Sequence, residues 1–192
     1  MANSLYLSGD AAADALLAEN DFALLVGMLL DQQVPMETAF AGPAKLRERL
    51  GDLSPEQIAG MDRDELVAVF AEKPAVHRYP KAMAGRVQDL ARAIVESYDG
   101  NTTALWTEGD PDGKEVLARL KALPGYGQQK AKIFLALLGK QFGLSAPGWR
   151  EAAAEYGDPD ARRSIADVTD GNSLSEVRAF KKEQKAKAKL AT

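Results

Sequence analysis

Apolar residues recur at helical spacing along most of this chain, and the period breaks at Gly, Pro, Ser, Asn and Asp. That pattern predicts a first helix from Ala11 to Leu17, with Ser8 or Asp10 as its cap. Asn20-Asp21 caps a second, FALLVGMLLDQQ, which runs to about Gln33 and stops near Val34 because Pro35 follows. Apolar on nearly every face, it is the expected central core helix. A third helix from Met36 to Leu50 turns Phe40, Leu46 and Leu50 inward and ends at Gly51. Ser54-Pro55-Glu56-Gln57 supplies a capping serine, a first-turn proline and a capping-box glutamine, which start a short helix to Ala59. Asp62 caps DELVAVFAEK, and Pro74 closes it.

His77-Arg78-Tyr79-Pro80 reads as a rigid turn before the long amphipathic segment KAMAGRVQDLARAIVESY, whose Met83, Val87, Leu90, Ala91, Ile94 and Val95 share one face. Gly100 ends it. Ala104 to Trp106 forms a one-turn packing segment, and Asp110-Pro111-Asp112-Gly113 marks a loop. Asp112 caps a helix from Gly113 to Ala122. Another runs from Gln128 to about Lys140, with Ala131, Phe134, Leu135 and Leu138 at positions i, i+3, i+4 and i+7. Beyond Gly143 the pattern is irregular, with a short REAAAEY helix and a last helix beginning near Ser173, Glu176 serving as its capping-box partner. The fold class is therefore all-α, a two-lobed helical bundle. Residues 1–177 form one domain with a hairpin at about 113–140, and 178–192 form a basic helical tail.

Composition agrees: 46% of residues are hydrophobic, and Ala and Leu outnumber β-branched and aromatic residues. The absence of cysteine excludes disulfides, thiolate zinc sites and iron-sulfur clusters. A single histidine, His77, cannot furnish a multi-histidine metal site or a triad alongside its other duties. Neither a side-chain metal site nor an organic cofactor is expected. The start of the chain lacks the charged and apolar regions of a signal peptide, and no run is long enough to span a bilayer, so no membrane role and a cytoplasmic, nucleoid-associated location are expected. The net charge of -4 is unevenly spread. From Arg178 onward six cations against Glu183 give +5, which leaves -9 on the body. That tail is either a phosphate-contacting element or a solvated helix.

The densest chemistry lies between the two helices around Leu123-Pro124-Gly125-Tyr126-Gly127. Glycine at 125 and 127 permits positive φ and close approach, so the amides of Gly125, Gly127 and Gln128 can converge on a phosphate oxygen. The following helix adds its unpaired amides and the positive end of its dipole, with Gln129, Lys130 and Lys132 supplying further donors and charge. The plainer alternative is a tight helix connection flanked by solvated lysines.

LKALPGYGQQKAKIFLALL resembles the LPGxGxxTA hairpin of the helix-hairpin-helix DNA glycosylase (HhH-GPD) superfamily. LLVGMLLDQQVPMETAFAGPAKLRERLG is similar to the alkylbase (3-methyladenine) branch, which lacks an iron-sulfur cluster, and the likeness in order and spacing covers about Asp21 to Trp149. The resemblance implies a base excision repair protein, expected as a monomer, that binds double-stranded DNA and flips out a damaged base, alkylated or deaminated. It places Gln32 and Gln33 at the DNA-facing end of their helix, where an amide can fill the vacated stack; the alternative is that both satisfy helix-terminal backbone groups. It also implies a monovalent cation held by backbone carbonyls from Leu123 to Gly127.

The likeness breaks where the superfamily carries its catalytic aspartate, for there this chain has Trp149. Gln129 stands where the bifunctional lyases carry a lysine, which disfavours Schiff-base chemistry. Three readings stay open. The acid is supplied by Asp31, Glu151 or Asp167, although each, taken singly, is more often a cap or a solvated charge. A flipped base is instead held by stacking on Trp149 or Tyr79, with His77 reading it or moving a proton, although a lone histidine is more often structural. Or the protein binds damaged DNA without cutting a bond.

Overall fold

Local capping chemistry sets most of the helix starts in the computed structural model, which describes residues 4–191. Helix α1 (Ala11–Glu19) begins where the Asp10 carboxylate accepts from the Ala13 amide, and α2 (Asp21–Leu30) where Asn20 accepts from Ala23. α3 (Met36–Leu50) ends on left-handed Gly51. Ser54 and Asp62 cap α4 (Pro55–Gly60) and α5 (Arg63–Ala71), and Pro80 opens the 19-residue α6 (Pro80–Tyr98). The one-turn α7 (Ala104–Thr107) precedes α8 (Gly113–Lys121), capped by Asp112, and the hairpin leads into α9 (Gln128–Gln141). A short α10 (Trp149–Ala152), 3₁₀ turns at Ala154–Tyr156 and Ile165–Asp167, and the 20-residue α11 (Gly171–Leu190) complete the chain. Among the described residues there is no strand, and no helix is long and apolar enough to cross a membrane.

The helices pack as two sets, α1 to α6 and α7 to α11. In the first, α2 lies against α1, α3 and α6 with every residue from Phe22 to Leu30 buried. In the second, α8, α10 and the 3₁₀ turns pack around α9. The two lobes meet where the hairpin docks on the second half of α2. The Tyr126 hydroxyl donates to the Leu25 carbonyl at 2.7 Å, and a side chain at Gly125 would bring its Cβ to 3.0 Å from Leu29.

Two boundaries differ from expectation. α2 stops at Leu30 rather than near Gln33, because side chains from elsewhere take over its last carbonyls, as described below. The last helix starts at Gly171, and its capping box is Asp170 with Ser173; Glu176 pairs instead with Arg162 at 2.8 Å. No break separates residues 171–177 from the basic stretch that follows, since α11 is one helix.

Candidate DNA-binding and active site

The hairpin leaves donors free. Gly125 takes a left-handed conformation, φ 81°, and Gly127 caps α9 with no side-chain hydrogen bond. Among the described residues the amides of Gly125, Gly127, Gln128 and Gln129 have no acceptor, and Gly125, Gly127 and Gln128 are exposed. Four such amides at a helix N-terminus form a cradle for a phosphate oxygen. Pro124, Gly125 and Tyr126 keep carbonyls without an amide partner, whereas that of Leu123 accepts from Tyr126 at 3.1 Å. Neutral carbonyl oxygens are the donor set that a monovalent cation takes. Leu123 itself is core, Gln129 donates to the Tyr156 hydroxyl at 2.9 Å, and Lys132 is half-buried on α9.

Lys130 does not point outward with the cradle. Its ammonium reaches the end of α2 and donates to the carbonyls of Met28 at 2.6 Å, Leu29 at 3.3 Å and Asp31 at 3.4 Å. Burial pulls its pKa down from 10.5 to about 8, and neighbouring Asp31 partly restores it. From the other side buried His77 does the same work. Its Nδ1 accepts from the Tyr79 amide at 3.0 Å, so the proton sits on Nε2, which donates to the carbonyls of Leu30 at 3.1 Å and Gln32 at 3.0 Å. Both ring nitrogens are thus committed to backbone, which corrects the expectation that His77 reads a base or moves a proton.

These caps hold the turn after α2 in a fixed shape. Gln32 is spent on structure, donating to the Leu29 carbonyl at 2.7 Å and accepting from Arg86 at 2.5 Å. Gln33 is exposed and held at φ 57°, a conformation that costs a non-glycine residue energy and marks positions where surrounding structure imposes it. Of the glutamine pair, only Gln33 offers a free side chain. It lines a hollow with Tyr79, Met83 and Arg86, and Tyr79 is 40% exposed there.

Asp31 opens on another space, a cleft of about 520 Å³ walled by Met28 of α2, Gln129 and Lys130 of α9, and Phe180 and Lys181 of α11. No hydrogen bond reaches its carboxylate among the described residues. Burial raises its pKa, a shift opposed by Lys181 and Lys130 and reinforced by Glu37. A half-buried carboxylate with open lone pairs, beside two cations, is what a developing positive charge on a substrate would meet.

The other candidate acids lie elsewhere. Asp167 is fastened on every side, accepting from the amides of Arg163 and Ser164 at 2.8 and 3.2 Å and pairing with Lys140 at 2.5 Å. That corrects its candidacy, for both oxygens are engaged and the side chain is buried away from any ligand. Glu151 is exposed on α10, outside the cleft. Trp149 is core, which corrects its candidacy as a stacking platform. Its indole presses on α9 so closely that a Cβ at Gly139 would lie 2.4 Å from it, and the Arg150 guanidinium covers the ring at 4.4 Å. The α11 wall was not foreseen, although Val177 and Phe180, three residues apart in an otherwise polar stretch, signal a docked face. Tyr126, the hairpin's anchor on α2, was also missed.

The chain matches the HhH-GPD superfamily base excision DNA repair protein family over residues 26–192. No curated protein matches it. The protein belongs to the HhH-GPD superfamily and is a DNA-binding, glycosylase-like protein of base excision repair.

Proposed function

From that membership and from the cleft, we propose a monofunctional DNA N-glycosylase that flips a damaged base, alkylated or deaminated, into the space beside Asp31. The carrying observation is the Asp31 carboxylate, half-buried and without a hydrogen bond between the hairpin helix and α11. The hairpin amides grip a phosphate next to the target nucleotide. Carbonyls of Pro124, Gly125 and Tyr126 would hold the monovalent cation that the hairpin type implies, and it would add positive charge facing that phosphate. Gln33 enters the stack where the base has left. The bond from sugar C1′ to the base nitrogen breaks with its electron pair leaving on the base. Positive charge then spreads over C1′ and the ring oxygen. Asp31 and the negative end of the α2 dipole stabilise it. Water adds to C1′ and gives its proton to the carboxylate.

The core position of Trp149, in the place of the usual aspartate, favours one rival, a protein that binds damaged DNA and leaves the bond intact. Single-turnover base release on a panel of alkylated and deaminated duplexes, with Asp31→Asn, Glu151→Gln and Asp167→Asn, separates them. Release lost in Asp31→Asn alone supports the enzyme. Tight lesion binding with no base released from any duplex supports the rival.

A further inference from the structure

We infer that one face of α11 is a second DNA-backbone contact that continues the cleft along the duplex. The inference rests on the reading of that cleft as DNA-facing. Arg178, Lys181, Lys182, Lys185 and Lys189 fall within an arc of about 100° at 3.6 residues per turn, and they line one groove on the helix surface. Lys181 and Lys185 also line the Asp31 cleft, so cleft and row are continuous. The opposite side of the helix carries Glu183 and Lys187, which neutralise each other at 2.7 Å. Among the described residues no carboxylate lies within ion-pair distance of Lys181, Lys182 or Lys185. Charge is thus paired on one side, while on the other Lys181, Lys182 and Lys185 have no ion pair among the described residues, in a chain whose body is otherwise acidic.

The helix is anchored at its root. Asp170 and Ser173 form its capping box, Val177 is buried, the Arg163 guanidinium lies 4.9 Å over the Phe180 ring, and Arg178 pairs with Glu37 at the start of α3. α11 therefore reaches from its own lobe to the other, past the mouth of the cleft, and holds the row in one direction. From Arg178 to Lys189 the row extends about 16 Å. One DNA strand advances a phosphate every ~3.4 Å along the duplex axis while winding around it, so a straight row of this length reaches only a few of them. Contacts from lysines to phosphates carry no base readout, so the contact is sequence-independent and sets where the protein sits relative to the lesion.

The test is the salt dependence of binding to a long undamaged duplex, which engages the row and does not fill the cleft. The parent protein and the Lys182→Gln/Lys185→Gln variant are compared, with Lys187→Gln as the control on the paired side. Loss of two phosphate contacts flattens the slope of log K against log salt by about 2 and weakens binding roughly 10- to 50-fold near ~0.1 M salt. Lys187→Gln leaves the slope unchanged. An unchanged slope in the double variant, with parent DNA binding intact, overturns this inference and leaves the glycosylase reading standing; parent protein that binds no DNA overturns both. If the row served an anionic lipid surface instead, the double variant would lose sedimentation with phosphatidylglycerol vesicles and keep its DNA slope, which also overturns the inference.

Discussion

Helix α9 carries an aspartate-lysine pair at each end, and the two differ in what is left over. At its last turn Lys140 meets Asp167 at 2.5 Å, with side chains 11% and 2% exposed, and backbone amides complete the carboxylate. At its first turn Lys130 sits beside Asp31, but spends its donors on α2 carbonyls and leaves the carboxylate without a hydrogen bond. The first pair is a fastener between α9 and the 3₁₀ turn at 165–167. The second faces a cleft. Identical residue types thus separate by hydrogen-bond saturation alone into a structural fastener and the open acid proposed for the chemistry.

Breaking the fastener has the largest expected effect. Asp167→Asn leaves Lys140 buried without a counter-charge, and loss of one partner of a buried pair costs about 3–5 kcal/mol. Urea unfolding should show that loss, while base release per folded molecule stays at the parent rate. A variant within about 0.5 kcal/mol of the parent would break the comparison, because Asp167 would then be no more committed than Asp31.

The converse holds at the cleft. Asp31→Asn removes a desolvated carboxylate, so stability holds or rises while single-turnover base release drops roughly 10²- to 10⁴-fold. The acid limb of the rate carries the same signature. Asp31 must be ionised and its pKa is raised, so release is lost as pH falls through a value above the ordinary carboxylate range. A parent acid limb at the ordinary carboxylate position would assign the chemistry elsewhere.

Sequence made the local half of this legible. Asp10, Asn20, Ser54, Asp62 and Asp112 all cap the helices they precede, because a cap needs only its own next three residues. The end of α2 was misjudged for the opposite reason: its carbonyls are capped by His77 and Lys130, 47 and 102 residues further along. Such partners carry no local pattern. Asp31, Gln32 and Gln33 could be nominated from the helix end and the superfamily likeness, but not told apart. Their division into open acid, structural bridge and free side chain depends on Arg86, Lys130 and the α11 wall. Trp149 was legible as a departure from the hairpin pattern, and its burial against Gly139 was not.

Lys130 gives a third way to sharpen the contrast, through pH. Its folded pKa of about 8 lies below the ordinary 10.5, so between those values the unfolded chain holds a proton that the folded one has released. Stability conferred by this group therefore rises as pH climbs from about 8 to 10.5, by on the order of 2 kcal/mol after allowance for partial exposure. Lys130→Gln should lack that rise, and parallel stability curves for parent and variant would show that burial does not strain this end of α9.

Gln33 provides the smallest effect and the finest distinction, because it separates strain that serves the cleft from strain that serves nothing. The turn holds it at φ 57°, where a side chain costs about 1 kcal/mol and glycine costs little. Gln33→Gly should therefore stabilise the fold by up to about 1 kcal/mol, part of the gain being offset by the freer unfolded chain. If the glutamine fills the stack vacated by the base, the same variant must also release base more slowly, since the extruded nucleotide then competes with restacking. Stability and turnover would move in opposite directions, as expected where local strain is retained for function. A turn of purely structural value would show the stability gain alone. Measured beside Asp31→Asn, in which stability is expected to hold or rise while turnover collapses, the Gln33→Gly result tells whether the turn after α2 holds the duplex open beside the cleft in which Asp31 is proposed to act.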